Sequence, residues 1–346
     1  MSQNGRRFNR VQVNYDGCAE SWSNLVPHAG RWLTAAVQRS KHLDPVEYVC
    51  KVTQLTASTW LASVSREAPV LIVGPTASGK SALAMAVAAR DGRVIVNADA
   101  LQIYSCWRVL TARPSLADEA ALPHALYGHI GREQSYSVGH WLREVAAILH
   151  KPVVIVGGTG LYFTALTRGL ADIPPTPAHI RATADHRLAS LGLPSLLNEL
   201  DTATRSRIDP QNPARVQRAW EVLTATGRGL ADWQDQTGPA LLPLRDVQAL
   251  VLRPDVGWLN ARIAHRFQSM LDHGAVAEAA AEAATWDANR ASAKAIGAPE
   301  LIAHLHGTLT LPQAIDAATL ASRQYAKRQR TWLRARMHDW PGLPLP

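Results

Sequence analysis

From Pro69 onward, short apolar runs alternate with amphipathic stretches along the chain. The run PVLIV leads into the glycine-rich GPTASGKS at 74–81 and then into the helix-forming ALAMAVAAR. Three further apolar runs stand at 93–98 (RVIVNA), 152–156 (PVVIV) and 249–253 (ALVLR). Continuous apolar runs of this length predict strands buried on both faces, as in a parallel sheet.

A helical repeat lies between the runs at 93–98 and 152–156. Its apolar positions recur at helical spacings, at Trp141, Leu142, Val145, Ile148 and Leu149. The order strand, helix, strand predicts parallel pairing with a right-handed crossover. The alternation as a whole predicts a doubly wound α/β protein.

The chain divides into three parts by its pattern. Residues 1–66 show no strong periodicity and carry three tryptophans, so we interpret them as an N-terminal extension of unknown role. A short helical extension is the alternative. Residues 169–244 have proline-rich stretches around helical patterns, which predicts a helical insertion domain. Residues 67–168 and 245–346 then form the core domain, which is helical after Pro254.

Composition narrows the class of protein. Hydrophobic residues make up 47% and charged residues 18%, as in globular proteins. No run approaches the roughly 18 apolar residues of a membrane span, and the polar opening lacks a secretion signal, so we expect the cytoplasm and no membrane. Cys18, Cys50 and Cys106 lack the close pairing of a disulfide framework or zinc site. The formal charge of +8 favours a polyanionic partner without establishing one.

The segment GPTASGKS matches the phosphate-binding pattern G-x-x-x-x-G-K-[ST], between a predicted strand and a predicted helix. Glycines let backbone amides approach phosphate oxygens, and the helix N-terminus adds partial positive charge. Lys80 is expected to contact the terminal phosphate and Ser81 a magnesium ion. A glycine-rich turn that matches by chance is the alternative. With this motif, the predicted fold is an α/β P-loop doubly wound parallel sheet with a helical insertion domain.

Polar groups follow the other two strands. The run RVIVNA delivers Asp99, whose carboxylate suits a magnesium ion or the proton of an amine; capping of a following helix is the alternative. The run PVVIV leads into GGTGLYF, where Thr159 presents a hydroxyl or simply belongs to a turn. No acid stands there, which weakens an ATPase interpretation and leaves open a different diphosphate ligand. Three strand ends together predict one polar site.

The last predicted helix is strongly basic. It carries Arg323, Lys327, Arg328, Arg330, Arg334 and Arg336, with no acidic residue between 320 and 338. Such a face neutralises a run of phosphates, although a solvated basic face is an equal alternative.

Several motifs, in order, resemble the tRNA dimethylallyltransferase family, also called tRNA isopentenyltransferases. The similar pieces are GPTASGKS, NADALQIY, parts of TARPSLADEAALPH, GGTGLYFTAL, NPARVQRAWEV, LNARIAHRF and SRQYAKRQRTWLR. The resemblance implies that the loop grips dimethylallyl diphosphate and that no nucleotide is hydrolysed. The prenyl group would pass to the exocyclic amine of the adenosine on the 3′ side of the anticodon, after that base leaves its stack.

The resemblance also implies roles for single residues. Asp99 would act as general base and Thr159 as a positioning group, with Arg262 and Arg266 helping the diphosphate to leave. The residues implied in diphosphate binding are Gly74, Pro75, Thr76, Ala77, Ser78, Gly79, Lys80 and Ser81, with Mg2+ on Ser81. The residues implied in tRNA binding are Asp99, Ala100, Leu101, Gln102, Thr159, Arg181, Ala214, Arg215, Val216, Gln217 and Arg218. The implied partners are the tRNA anticodon stem-loop and dimethylallyl diphosphate, and we expect a monomer.

Three places depart from the family pattern. Ala100 replaces a usual serine. The stretch AIGAPEL at 295–301 has Ala298 and Pro299 where aromatic and basic residues commonly follow the glycine. TARP stands where a glycine-threonine pair and a lysine often precede the proline. We expect activity to remain and RNA affinity to differ. Rival functions are a prenyltransferase of free adenine nucleotides, a small-molecule kinase and a nucleic-acid-binding module. The basic helix and the insertion favour tRNA, because a small acceptor does not need them.

Overall fold

The structure, a computed structural model, describes residues 57–346. Residues 57–63 are helical, and Val64–Pro344 forms one compact unit. The predicted extension at 1–66 lies outside the described residues as far as residue 56, as do Cys18 and Cys50. Cys106 is described and is a free thiol.

The four apolar runs form strands of a six-stranded sheet. Its strands are β1 (Val70–Val73), β2 (Val94–Asn97), β3 (His124–Ala125), β4 (Val153–Gly157), β5 (Gln248–Pro254) and β6 (Gly342–Leu345), in the order β3-β2-β4-β1-β5-β6. Strand β1 runs parallel to both β4 and β5, and β2 runs parallel to β3 and β4. The predicted α/β parallel sheet is therefore confirmed, while the two edge strands β3 and β6 are additions to the prediction.

Helices connect and flank these strands. In chain order they are α1 (Lys80–Asp91), α2 (Leu116–Ala121), α3 (Val138–Ile148), α4 (Gly160–Arg168), α5 (Ala178–Leu191), α6 (Pro194–Leu197), α7 (Thr202–Arg207), α8 (Pro213–Thr226), α9 (Leu230–Asp235), α10 (Val256–Asp272), α11 (Ala275–Ala283), α12 (Ala298–Leu305) and α13 (Leu311–Arg336). Short 3-10 turns cover Leu244–Asp246 and Ser292–Lys294. Within residues 57–346, no helix has both the length and the apolar character needed to cross a bilayer.

One face of the sheet packs on helices from three parts of the chain. Leu71 and Val73 of β1 belong to a buried cluster with Trp141 of α3, Phe163 of α4 and Leu333 of α13. Strand β1 is completely buried, as the apolar run predicts. The C-terminal helix is thus fixed against the sheet and brought beside the ends of β1, β2 and β4.

Residues 169–244, all of them described, contain the five helices α5–α9 and no strand. They have an apolar core of their own, in which Ile180, Leu196, Val216 and Trp220 are buried together. This packing gives the stretch a local hydrophobic stabilisation separate from that of the sheet.

A buried ion pair closes the end of the sheet opposite the phosphate-binding loop. The Arg93 guanidinium is fully buried and donates to Asp91 at 3.1 Å and to the carbonyl oxygens of Ala68, Ser65 and Val153 at 2.7, 2.7 and 3.3 Å. Its charge is paired and its N–H groups have partners, which is the condition under which a buried charge is tolerated.

Candidate active site

Residues 74–81 form a tight loop between β1 and α1. Gly79 adopts φ 87°, a left-handed conformation that glycine takes without strain, and stands at the N-terminus of α1. A Cβ atom on Gly74 would lie 2.8 Å from Ser78 Oγ, so only glycine fits there without a shift. The loop thus leads directly into the N-terminus of α1, whose first amides lack helical acceptors and attract anions.

Lys80 lies buried at the bottom of this loop. It is 8% exposed, and its Nζ donates to the Pro75 carbonyl oxygen at 3.5 Å. Burial lowers the pKa of Lys80 to about 8, with Asp99 opposing and Arg266 adding to the shift. No carboxylate among residues 57–346 lies within ion-pair distance of this buried ammonium group. A bound anion would therefore stabilise its charge.

Two arginines of α10 hold the loop from the side. Arg262 Nε donates to the Ala77 carbonyl oxygen at 3.0 Å, and Arg266 donates to Thr76 Oγ1 at 3.3 Å. The Arg262 guanidinium also lies 4.8 Å from the centre of the Trp258 ring. The two arginines that the resemblance singled out thus contact the phosphate-binding loop, although 185 residues separate Arg262 from Ala77.

Asp99 follows β2 and is 8% exposed. Its Oδ1 accepts from Leu101 N–H at 3.0 Å. Asn97, fully buried, accepts from Asp99 N–H at 2.8 Å and donates to the carbonyl oxygens of Asp99 and Leu126 at 3.0 and 2.9 Å. The next described helix begins only at Leu116, so Asp99 is no helix cap. Its backbone is held while its carboxylate reaches the pocket.

Thr159 lies beside Asp99 at the end of β4. Its Oγ1 accepts from Ala100 N–H at 2.9 Å, and its own N–H donates to the Ala98 carbonyl oxygen at 3.2 Å. A Cβ atom on Gly157 would lie 2.0 Å from that same carbonyl oxygen. The ends of β1, β2 and β4, which the sequence predicted to form one polar site, therefore lie together.

A pocket opens between these strand ends and helices α10 and α13, with about 560 Å³ of empty space including its mouth. Its polar wall contains Thr76, Asp99, Arg266, Ser322 and Tyr325. Its apolar wall contains Leu101, Leu110, Ile263, Phe267, Met270 and Ile296. Such a pocket accepts a ligand with an anionic head and a short hydrocarbon tail.

Three side chains of the site were not predicted from the sequence. Gln329 contacts the backbone of Thr76, and the Tyr325 hydroxyl lies close to the side chains of Thr159 and Gln329. Burial, together with the Asp99 carboxylate, raises the pKa of Tyr325, so this hydroxyl keeps its proton. The third is Asn97. All three stand within quoted motifs, but only the tertiary structure gives them their roles.

The residues implied in tRNA binding fall into two groups. Ala100, Leu101 and Gln102 continue from Asp99, and Gln102 Nε2 donates to the carbonyl oxygens of Thr111 and Ala112, both at 2.8 Å. The second group lies on α5 and α8 of the insertion, outside the pocket lining: Arg181, Ala214, Arg215, Val216, Gln217 and Arg218.

Within the second group the side chains differ in exposure. Arg215 is exposed, whereas Val216 is fully buried in the core of the insertion. Arg181 and Arg218 approach the buried Glu221 carboxylate at 3.9 and 3.7 Å. Glu221 therefore attracts two cations at this surface, while Val216 belongs to the apolar core of residues 169–244.

The basic side chains of α13 point mostly into solvent. Arg323, Lys327, Arg328, Arg334 and Arg336 are exposed. Arg330 is half-buried, and its Nε is shielded from solvent without a hydrogen-bond partner among the described residues. The predicted basic face is therefore present, except that Arg330 turns inward.

The positions that depart from the family pattern differ in burial: Ala298 is buried, Ala100 and Ala112 are partly buried, and Pro299 is exposed. Ala298 is fully buried at the start of α12, and Pro299 occupies its first turn. Ala112 has φ 48°, a left-handed conformation that is uncommon for alanine. These residues lie in or beside the apolar cluster that contains Leu110 and Phe267.

Comparison with known proteins identifies the family. An IPP transferase model matches residues 102–336 and an isopentenyl transferase model matches residues 68–121. A tRNA dimethylallyltransferase of Cereibacter sphaeroides (strain ATCC 17025) is 64% identical over 280 residues, which cover 80% of this chain and 96% of the relative. That of Jannaschia sp. (strain CCS1) is 58% identical over 284 residues, covering 82% and 98%.

Solved structures agree with this result. The tRNA isopentenylpyrophosphate transferase of Bacillus halodurans matches with a TM-score of 0.55 at 28% identity, covering 81% of this chain and 90% of that one. A eukaryotic dimethylallyltransferase acting on tRNA shares the fold, with a TM-score of 0.68 at 23% identity and coverage of 80% and 73%. By the extent of the family match and the identity to its relatives, this chain belongs to the IPP transferase family, that of the tRNA dimethylallyltransferases.

Proposed function

We propose that this chain transfers a dimethylallyl group from dimethylallyl diphosphate to the exocyclic amine of the adenosine 3′-adjacent to the anticodon in tRNA. The observation that carries the proposal is the pocket in which the phosphate-binding loop, Asp99 and an apolar wall meet. The names of relatives that share more than half of their sequence with this chain support the same chemistry.

The donor matches this pocket by its charge and by its apolar group. Its diphosphate would lie on the amides at the end of the loop and the start of α1, those of Ala77, Gly79, Lys80 and Ser81, next to the charges of Lys80 and Arg266. The amides of Gly74, Thr76 and Ser78 already donate within the protein. Its five-carbon group would lie against the side chains of Leu110, Ile263 and Phe267, which are buried. An apolar wall next to the phosphate-binding loop matches a donor whose hydrocarbon is attached directly to its diphosphate.

The reaction then requires one nucleophile and one base. The amine nitrogen of the adenine attacks C1 of the dimethylallyl group, a C–N bond forms, and the C–O bond to the diphosphate breaks with its electron pair going to the diphosphate. Asp99 accepts the proton that the amine loses. Lys80, Arg262 and Arg266 stabilise the charge that develops on the departing diphosphate.

Thr159 and Tyr325 would position the acceptor base. Thr159 Oγ1 already accepts from Ala100 N–H, which leaves its hydroxyl hydrogen and second lone pair for other partners. The adenine must leave its stack to reach Asp99, because a carboxylate that is 8% exposed cannot approach the amine of a base stacked in the anticodon loop.

Two surfaces are proposed to hold the RNA backbone. One is the exposed basic side of α13, defined here by Arg323, Lys327 and Arg334 and called the α13 face. The other is the insertion surface around Arg181, Arg215, Gln217 and Arg218, with Ala214 and Val216 as supporting positions. Exposed cations along a helix neutralise phosphates and release their counterions.

Magnesium is proposed as a cofactor that arrives with the donor. Among residues 57–346, no three acidic, histidine or cysteine side chains converge to form an ion site, but Mg2+ commonly binds through one protein ligand, water and ligand phosphates. Ser81, exposed in the first turn of α1, supplies a hydroxyl where such an ion would sit. The ion would neutralise charge on the diphosphate.

We further propose that the enzyme acts as a monomer in the cytoplasm. Size-exclusion chromatography with light scattering at assay concentration checks the first part, with a single 37.6 kDa species as the expected result.

The function is tested by offering the enzyme a choice of acceptor. Dimethylallyl diphosphate carrying a radiolabel is incubated with unmodified tRNA, with adenosine monophosphate, or with both. We expect label in tRNA alone. Label in adenosine monophosphate alone would point to a nucleotide prenyltransferase, and ATP-dependent phosphorylation without prenyl transfer would contradict the proposal in favour of a kinase.

A further inference from the structure

The side chain of Gln329 bridges the ends of two neighbouring strands. Its Oε1 accepts from Thr76 N–H at 2.8 Å, and its Nε2 donates to the Gly158 carbonyl oxygen at 3.0 Å. Gln329 is 5% exposed and belongs to α13. A single amide therefore contacts the loop after β1 and the turn after β4 that presents Thr159.

The chemistry of this bridge requires a primary amide. One partner is a donor and the other an acceptor, so the bridging group needs an acceptor and a donor at a fixed distance, which glutamine provides. The turn is shaped to receive it, because a Cβ atom on Gly158 would lie 2.1 Å from Gln329 Nε2. Gly158 and Gln329 fit each other.

The contact extends by one helical turn to Tyr325. The Tyr325 hydroxyl lies close to the side chains of Gln329 and Thr159, and Tyr325 lines the pocket beside Asp99. The inner side of α13 thus contacts both the loop proposed to hold the donor and the turn proposed to hold the acceptor.

We infer that Gln329 is a positioning residue that fixes the separation of donor and acceptor, an inference that rests on the proposed prenyl transfer. Attack on C1 needs the amine about 3–3.5 Å away and in line, and a displacement of about 1 Å can lower the rate about 100-fold. Each half of the site keeps contacts of its own without Gln329. Lys80 and Arg266 remain beside the loop, and Asn97 still holds Asp99.

Kinetics of matched variants test this role. Gln329→Met removes the bridge, whereas Gln324→Met makes the same change at an exposed position of the same helix. We expect kcat of Gln329→Met to fall about 10- to 100-fold, with each KM changed by less than about threefold. Gln324→Met should keep wild-type constants. A thermal melt and titration of active sites separate this effect from loss of folded enzyme.

The bridge is also tested from its other end. Gly158→Ala should displace the Gln329 amide and lower kcat, and the double variant should be little slower than the slower single variant, since both changes break one contact. If Gln329→Met fails to fold, Gln329→Glu replaces it, because it keeps an oxygen for Thr76 N–H and sets another against the Gly158 carbonyl.

Several results would overturn the inference. They are an unchanged kcat in Gln329→Met or its Glu replacement, a loss confined to the KM of the donor, and fully additive effects with Gly158→Ala. Each of these presupposes an active wild type. A wild type that transfers no label would contradict the proposed function itself, so the two failures are distinguishable.

Discussion

Burial of Lys80 makes its charge depend on pH near neutrality. Its pKa is lowered to about 8, so the free protein carries the ammonium below pH 8 and loses it above. A bound diphosphate favours the charged form. We therefore expect affinity for an unreactive dimethylallyl diphosphate analogue to weaken about tenfold per pH unit above pH 8. Calorimetric titration between pH 7 and 9.5 measures this.

The matched control for this titration is Lys80→Met. That variant should bind more weakly at pH 7 and show little further loss up to pH 9.5, because the titrating group is gone. A wild-type affinity that stays constant across this range would show that the Lys80 ammonium does not contribute to binding the donor.

Leu110 limits the length of the donor in this account. It is 4% exposed and lines the apolar wall of the pocket, near Phe267. Leu110→Ala should open space at this wall for a longer hydrocarbon. We expect kcat/KM for the ten-carbon allylic diphosphate to rise by roughly tenfold or more relative to that for the five-carbon donor. Competition between the two donors in one assay measures the ratio directly.

A control for this change comes from the same segment. Leu116 is 72% exposed, so Leu116→Ala should leave the ratio as it is in the wild type. If Leu110→Ala also leaves the ratio unchanged, the hydrocarbon does not lie against this wall.

Some residues of the site could be predicted from the sequence, and others could not. Lys80, Asp99 and Thr159 were predicted to share one site, because strand order places strand ends together, and the structure brings them together. Gln329 was not predicted, since 253 residues separate it from Thr76 and no local pattern records that contact. Asn97 was not predicted, because in the sequence an asparagine at the end of a strand resembles any turn residue.

At the level of elements, the α13 face is the clearest candidate for RNA contact. Replacing Arg323 and Lys327 by Gln removes two exposed charges, so we expect a higher KM for tRNA. The dependence of log affinity on log salt should become less steep by about 0.7–0.9 for each lost phosphate contact. Filter binding of tRNA at several salt concentrations measures both, while the KM of the donor should not change.

The matched control removes the same charge elsewhere. Arg66 and Arg245 are exposed by 77% and 83%, and their joint replacement by Gln should leave the salt dependence as it is in the wild type. Equal effects of the two double variants would show a general response to net charge rather than a binding face.

Elements differ in how well the sequence predicts them. The strands β1, β2, β4 and β5 are continuous apolar runs and were predicted nearly to the residue. Strand β3 has only two residues, and β6 contains Pro344, so neither shows a periodic pattern. Edge strands of this kind form because the sheet offers them a partner, and a sequence read locally does not contain that partner.

For the whole molecule, the ion pair beneath the sheet is expected to matter for stability rather than for catalysis. Arg93→Met leaves Asp91 without one of its cations and three carbonyl oxygens without their donor. We expect the free energy of unfolding to fall by about 3–5 kcal/mol. Urea denaturation measures it, with Arg245→Met as the exposed control, which should change by less than about 0.5 kcal/mol.

A role in stability alone also predicts that the substitution leaves substrate binding unchanged. At a temperature where Arg93→Met is folded, its KM for donor and tRNA should equal those of the wild type, because Arg93 lies at the other end of the strands. A stability within 0.5 kcal/mol of wild type would instead contradict the assigned role of the pair.

In the proposed mechanism, donor and acceptor lie in one pocket, with Asp99 between them. The most direct test is a single-turnover transfer of labelled dimethylallyl to tRNA, comparing wild type with Asp99→Asn and using tRNA with guanosine at the acceptor position as control. We predict that the wild type labels only the adenosine-containing tRNA, and that Asp99→Asn still binds both substrates but transfers about 10²- to 10⁴-fold more slowly. Transfer by Asp99→Asn at the wild-type rate would contradict the account.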